Sequence, residues 1–347
     1  MKTTPIITLA IALSSFLFST SLIAEDSQEA QLIELVPKSD VDKDGHLTPS
    51  EIWYAKSLSK GNKEAIQLAM SLIRDCYSPT GIDKAKPYGP LPGKKIKLFI
   101  LSGQSNMVGQ GLSAELPKKQ VKPNERILMF EEGKWQPLRP LKPTFGPEIA
   151  FAHAMAERWP GETIGIVKQA VGGTGVLAWH PQWTQEKADL TKDGRKGNLW
   201  KALTDKVNAA RDASACEVSG FVWQQGGKDM SFLVTAKDYL ENLSALVKGL
   251  RKETGVADLP FVLGTPRSEE FPDDISNIDL SDVKVPGRPG AMLVVKAQWE
   301  AQRVLSPAKA IPLRSLPKHQ ANIHYNTEGI LKLGELFAAG YLELTGE

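Results

Sequence analysis

The sequence predicts an α/β fold, with a mostly parallel sheet covered by helices on both faces. Three observations lead there. Short apolar runs of strand length alternate with longer stretches of helical periodicity. The runs themselves are nearly continuous in apolar residues, as strands buried on both faces must be. Three of them end in polar, glycine-containing turns, the edge at which a parallel sheet gathers its functional groups.

The elements follow in chain order. Residues 1–24 read as a secretory signal peptide, with Lys2, an apolar stretch from Ile6 to Leu17, and Ala24 as the small residue before Glu25. Ser14, Ser15, Ser19 and Thr20 interrupt the apolar stretch, which favours a cleaved leader over a retained anchor. The mature chain is therefore expected to be secreted or periplasmic, without a membrane association. Residues 25–76 read as an acidic helical segment, with Leu32, Leu35, Val36, Ile52, Ala55, Ile66, Ala69 and Leu72 at three-to-four spacing.

Inside that segment, residues 40–51 match a twelve-residue EF-hand loop. Asp40, Asp42, Asp44 and Glu51 supply carboxylates at positions 1, 3, 5 and 12, His46 offers its carbonyl at 7, and Gly45 makes the turn. Carboxylates packed so closely repel one another unless a hard cation neutralises them, so a single structural Ca2+ is the expected occupant. No second loop of this kind occurs in the chain. Residues 77–94, rich in Pro, Gly and Lys, form a linker, and residues 95–347 form the larger domain.

Within the larger domain, strands are expected at 96–101, 126–130, 163–168, 220–224 and 261–264. Helices are expected near 147–158, 198–212, 236–253, 290–305 and 327–343. The charge balance, 42 Lys plus Arg against 40 Asp plus Glu, argues against nucleic acid as a partner. Cys76 and Cys216 are either a disulfide or two free thiols.

Chemistry is sought at the strand ends. The first strand runs into Ser102-Gly103-Gln104-Ser105-Asn106-Met107, where Ser105 sits as a nucleophile would. The third leads to Val171-Gly172-Gly173-Thr174-Gly175, whose glycines let backbone amides approach an oxyanion. The fourth leads to Trp223-Gln224-Gln225-Gly226-Gly227-Lys228-Asp229, where the Gln225 side chain is a further donor. Of five histidines, His46 belongs to the acidic loop and His153 to a helix face. His180, His319 and His324 lie in loops, and His324, just before the last helix, ranks first as base. Trp179, Trp183 and His180 form a candidate sugar-stacking wall.

Five ordered blocks, Gly103–Met107, Phe145-Gly146-Pro147-Glu148, Gly172-Gly173-Thr174, Trp223–Gly226 and His324–Gly329, resemble the SGNH-hydrolase superfamily. Within it, the chain is similar to the sialate O-acetylesterase and acetylxylan esterase group, carbohydrate esterase family 6. The resemblance implies a three-layer αβα sandwich with a flavodoxin-like sheet, and a secreted esterase acting on acetylated carbohydrate without a catalytic cofactor. It implies Ser105 as nucleophile and His324 as general base. The oxyanion donors would be the amides of Ser105 and of Gly172 or Gly173, with the Gln225 side chain. Two positions depart from the pattern: Ala321 stands where the triad Asp is usual, and Gly227 where a Glu is usual. Three arrangements are then open. His324 is oriented by a backbone carbonyl, or Asp229 or Glu148 is a relocated acid, or the protein binds carbohydrate without hydrolysing it. A calcium-dependent adaptor for an unidentified protein partner is a further reading of the N-terminal segment.

Overall fold

The structure, a computed structural model, describes residues 27–76, 88–140, 142–266, 275, 279, 285–320 and 322–347. The expected leader, the first part of the linker (77–87) and Ala321 lie outside the described residues.

Nine strands occur among the described residues. They are β1 (Ile96–Gly103), β2 (Gly111–Leu112), β3 (Ile127–Glu131), β4 (Lys134–Pro137), β5 (Thr144–Phe145), β6 (Thr163–Ala170), β7 (Cys216–Gln224), β8 (Phe261–Pro266) and β9 (Ala308–Leu313). Seven of them form one sheet in the order β4-β3-β6-β1-β7-β8-β9, parallel throughout except for the antiparallel β3–β4 pair. Numbered along the chain, β1, β6, β7, β8 and β9 lie in the spatial order 2-1-3-4-5, the flavodoxin-like arrangement. The β3–β4 hairpin is an insertion that extends the sheet beyond β6. Glu132 (φ 52°) and Gly133 (φ 75°) make its two-residue turn, both in the left-handed region that a type I′ hairpin needs. β2 and β5 pair separately beside the sheet.

β1 shows why the sheet is buried on both sides. Ile96, Leu98 and Ile100 point into one apolar cluster, Phe99 and Leu101 into the other, and all five are fully buried. The first cluster is closed by three of the helices, Leu199–Ala213, Tyr239–Thr254 and Ala291–Val304. The second is closed by Glu148–Arg158 and Thr327–Thr345. Leu199, Leu203, Val207 and Ala210 form a one-sided buried stripe at helical spacing. Asn198 caps that helix and Asn326 caps the last one, each through its side-chain oxygen.

Expected and observed strands differ. β7 begins at Cys216 rather than 220, the two-residue strands β2 and β5 were not expected, and neither were β4 and β9. Their sequences, Lys-Trp-Gln-Pro and Ala-Lys-Ala-Ile-Pro-Leu, are short and broken by Lys and Pro, as edge strands are. Both cysteines are free thiols: Cys76 is exposed, and burial pushes the Cys216 thiol up to about 11.

The N-terminal unit consists of α1 (Gln28–Leu35), α2 (Pro49–Leu58) and α3 (Lys63–Asp75). Its small core of Leu32, Ile52, Ala55, Ala65, Ala69 and Ile73 also includes Leu112 of β2, so the unit shares a core with the α/β body. Polar contacts reinforce this. Ser50 Oγ donates to Glu115 Oε1 at 2.5 Å, the other Glu115 oxygen accepts from Thr327 Oγ1, and the rings of Trp53 and His319 lie 5.9 Å apart. Lys94 pairs with Glu162 at 2.8 Å and the Leu91 N–H donates to Thr163 Oγ1, so the end of the linker runs along the body.

Candidate active site

β1 carries the nucleophile candidate to the sheet edge. Gly103 has φ 146°, and a Cβ there would lie 2.2 Å from the Gln224 carbonyl oxygen of β7, so only glycine lets these strand ends close together. The chain turns at once into a one-turn helix, α4 (Ser105–Val108). Three contacts fix this turn. The Gln104 N–H donates to Gln224 O at 2.9 Å, the Lys168 ammonium donates to Val108 O at 3.1 Å, and the Tyr325 N–H donates to Asn106 Oδ1 at 3.3 Å. Ser105 is half-buried, and neither its Oγ nor its N–H has a partner among the described residues.

The Asn106 contact joins the residue after Ser105 to the residue after His324. Serine and histidine are thus brought to one place from opposite ends of the domain, though not into a direct hydrogen bond; such bonds often tighten only with substrate present. His324 Nδ1 lies 2.7 Å from Asn322 Oδ1, which also accepts the His324 N–H at 3.2 Å. An amide oxygen only accepts, so Nδ1 carries the proton and Nε2 is left with a free lone pair. Burial, aided by the nearby His319 and Lys56, holds the His324 pKa below the ordinary histidine value, so the ring is neutral at pH 7. His319 itself is held by Gln110 O at 2.7 Å, and His180 Nδ1 accepts the Gln182 N–H.

Neither carboxylate expected as a relocated acid faces His324. Glu148, nearly fully buried, pairs with Lys168 at 2.7 Å and accepts the Gly146 N–H at 3.0 Å, bracing the floor under α4. Asp229, fully buried, accepts from Val176 N–H at 3.0 Å and Gln225 Nε2 at 2.6 Å, and burial pushes its pKa up to about 6. Asn322 takes the place on Nδ1 instead. Sequence reasoning missed it, although an Asx residue two positions before its target is a common local hydrogen-bonding pattern.

The glycine turn after β6 lies beside the serine: a Cβ on Gly172 would sit 3.9 Å from Ser105 Cβ. The carbonyl of Val171 accepts from Thr174 Oγ1 at 2.9 Å, and Gly173 takes φ 64°. The N–H groups of Gly172, Gly173 and Thr174 find no acceptor among the described residues. Three successive unpaired N–H groups around a left-handed glycine make a concavity suited to negative charge.

Gln225 does not join them. Its Nε2 donates to Thr174 O at 2.7 Å and to Asp229, and its Oε1 accepts from Tyr239 Oη at 2.8 Å. Both amide hydrogens are used, so the side chain supports the glycine turn from below and has none to spare for an oxyanion. Trp179 is likewise no sugar wall. It is fully buried, edge-on to Trp223, with Nε1 donating to Thr174 Oγ1 at 3.1 Å, whereas Trp183 is half-buried. At Gly227, a Cβ would come 2.9 Å from Gln104 Nε2, and Gln104 Oε1 accepts the Lys228 N–H, so Gln104 occupies the room that a larger residue would need.

In the acidic loop, Asp40, Asp42 and Asp44 bring carboxylate oxygens within 4.8 Å of one another, with Gly45 at φ 81°. Glu51 is not among them. It accepts from Thr48 N–H, Thr48 Oγ1 and Val41 N–H, closing the capping box of α2, and these bonds hold its carboxyl below the usual range against the opposing effect of burial. The His46 ring lies 3.6 Å from Glu29.

Comparison with known proteins agrees with this fold. A probable carbohydrate esterase of Arabidopsis thaliana is 26% identical over 286 residues, 76% of this chain and 95% of that protein. Its X-ray structure superposes with a TM-score of 0.56 at 24% identity, covering 71% of this chain and 98% of the other. A carbohydrate acetylesterase from Xanthomonas citri gives a TM-score of 0.52 at 19% identity, covering 72% of this chain and 57% of that one; at such identities both structures attest the fold. Residues 95–343, well over half the chain, match the family described as carbohydrate esterase, sialic acid-specific acetylesterase, and the chain belongs to that family.

Proposed function

We propose that the protein is a secreted or periplasmic serine esterase that removes acetyl groups from acetylated carbohydrate. In this reading Ser105 Oγ attacks the ester carbonyl and His324 Nε2 takes its proton. Asn322 keeps the imidazole in the Nδ1–H tautomer and turned toward the serine, the role an Asn fills in Cys-His-Asn sites. The negative oxygen of the tetrahedral intermediate is met by the N–H groups of Ser105 and of the Gly172–Thr174 turn. As the ester C–O bond breaks, His324 gives the proton to the leaving sugar oxygen, which departs as a hydroxyl, and a water attacking the acetyl-serine by the same path releases acetate. The observation that carries the reading is the Ser105 Oγ beside three turn N–H groups, all four without a partner among the described residues.

The test is turnover of an aryl acetate and of acetylated xylan, beside Ser105→Ala. The variant is expected to lose activity by at least about 10³-fold, as loss of a serine nucleophile does. A wild type no faster than the variant sinks the hydrolase reading, and carbohydrate binding retained by both proteins then points to a non-hydrolysing relative.

The acidic loop is read as a calcium site in which Asp40, Asp42 and Asp44 hold the ion and the His46 carbonyl adds an oxygen. One oxygen of Asp40 is buried without a hydrogen-bond partner, which supports a cation there. Calcium is expected to raise the melting temperature and a chelator to lower it. An equal melting temperature in both, with no bound calcium by metal analysis, overturns the assignment. Export is checked by sequencing the N-terminus of the mature protein, expected at Glu25.

A further inference from the structure

A charged pair lies beside the glycine turn, outside the proposed chemistry, with its carboxylate buried and its ammonium partly exposed. Asp193 is fully buried. Its Oδ2 accepts the Gly175 N–H at 2.8 Å and the Thr191 hydroxyl at 2.6 Å, and its Oδ1 faces the Lys196 ammonium at 2.8 Å. Lys196 in turn donates to the carbonyl oxygens of Gly172 at 2.9 Å and Gly173 at 2.6 Å. The three hydrogens of the ammonium therefore have three acceptors, two of them consecutive peptide oxygens of the turn.

The consequence is geometric. In a trans peptide the C=O and the N–H point in opposite directions. Holding the Gly172 oxygen turns the Gly173 N–H away from Lys196, and holding the Gly173 oxygen does the same for the Thr174 N–H. Both glycines are exposed and carry no side chain that packing fixes, so their peptides have little else to keep them from rotating. A cation on a carbonyl also polarises its peptide, which makes the opposite N–H a stronger donor. An ion pair whose ammonium is partly exposed contributes little to stability on balance, so a pair kept on this turn is better explained by orientation than by stability.

We propose that Lys196, itself anchored by Asp193, is a positioning residue that holds the Gly172–Gly173 and Gly173–Thr174 peptides with the Gly173 and Thr174 N–H groups presented to the oxyanion. The inference rests on the esterase reading above.

The test uses the full chain with an aryl acetate, and methylboronic acid as a tetrahedral mimic that bonds to the serine. Lys196→Met is expected to lower kcat roughly 10- to 100-fold with KM changed less than about two-fold, and to weaken the boronic acid by a similar factor. Lys196→Arg, which keeps the charge and donors for both carbonyls, is expected to recover most of the loss, and Asp193→Asn to fall between. A purely structural role predicts a lower melting temperature with unchanged boronic acid affinity, and that result overturns the proposal. If Lys196→Met does not fold, Lys196→Gln against Lys196→Arg makes the same comparison. An active wild type matched within two-fold by the Lys196 variants overturns this inference alone. A wild type no faster than Ser105→Ala removes the esterase reading and this inference with it.

Discussion

His324 is set by its immediate neighbours. The group on Nδ1 is a neutral amide, so the imidazolium formed during catalysis receives a dipole rather than a full charge, and burial with Lys56 and His319 further disfavours it. A neutral histidine is the active base, and activity is lost as pH falls through its pKa. Because that pKa is lowered, the acid limb of kcat/KM is expected below the ordinary histidine value of about 6.5. Asn322→Asp is expected to move the limb to higher pH by favouring the charged ring. Asn322→Ala is expected to lower kcat by about 10- to 100-fold, the worth of one lost orienting hydrogen bond. A pH profile unchanged in Asn322→Asp, together with an Asn322→Ala enzyme within two-fold of wild type, refutes the assigned role. At this scale the sequence was uneven as a guide. Ser105, His324 and the two glycines occur in recognisable blocks at strand ends and loops. Asn322 and Lys196 do not, because their roles depend on where loops fold back. Gln225 looked like a free donor because only the folded chain puts Thr174 O and Asp229 on either side of its amide.

Among the elements, β1 and β7 decide whether the site exists. Their C-terminal ends meet at Gly103, where the Gln224 carbonyl leaves no room for a side chain. Gly103→Ala is expected to push these ends apart at a cost of about 3 kcal/mol, seen as a lower urea midpoint with unchanged slope, and to displace Ser105. A variant of wild-type stability contradicts the close approach. The buried central strands and amphipathic helices were legible because their periodicity is a property of the segment itself. β4 and β9 were not: their Lys and Pro interrupt the pattern, and pairing with a neighbour is what makes them strands. The three-residue acidic cluster was legible from spacing, but the diversion of Glu51 to a helix cap was not, since one carboxylate fits both patterns.

For the whole molecule, the N-terminal unit and the α/β body share Leu112 and the Ser50–Glu115–Thr327 chain, which ends three residues after the candidate base. They are expected to unfold together, so amide-exchange protection of α1–α3 and that of the sheet strands should be lost in one coincident urea transition. Leu112→Ala, costing about 2–5 kcal/mol, is expected to separate the two signals. Two transitions already present in the wild type refute the coupling.

The sheet ends on both sides in strands of the same kind. β4 carries Lys134 and Pro137, and β9 carries Lys309 and Pro312. A proline has no N–H to offer an incoming strand, and a lysine brought against its own copy meets like charge. Two molecules meeting edge to edge therefore find an incomplete row of donors, flanked by Lys134 at one margin and by the Lys309–Glu343 ion pair at the other. The sheet gains from this a defence against growing into its neighbours at either margin.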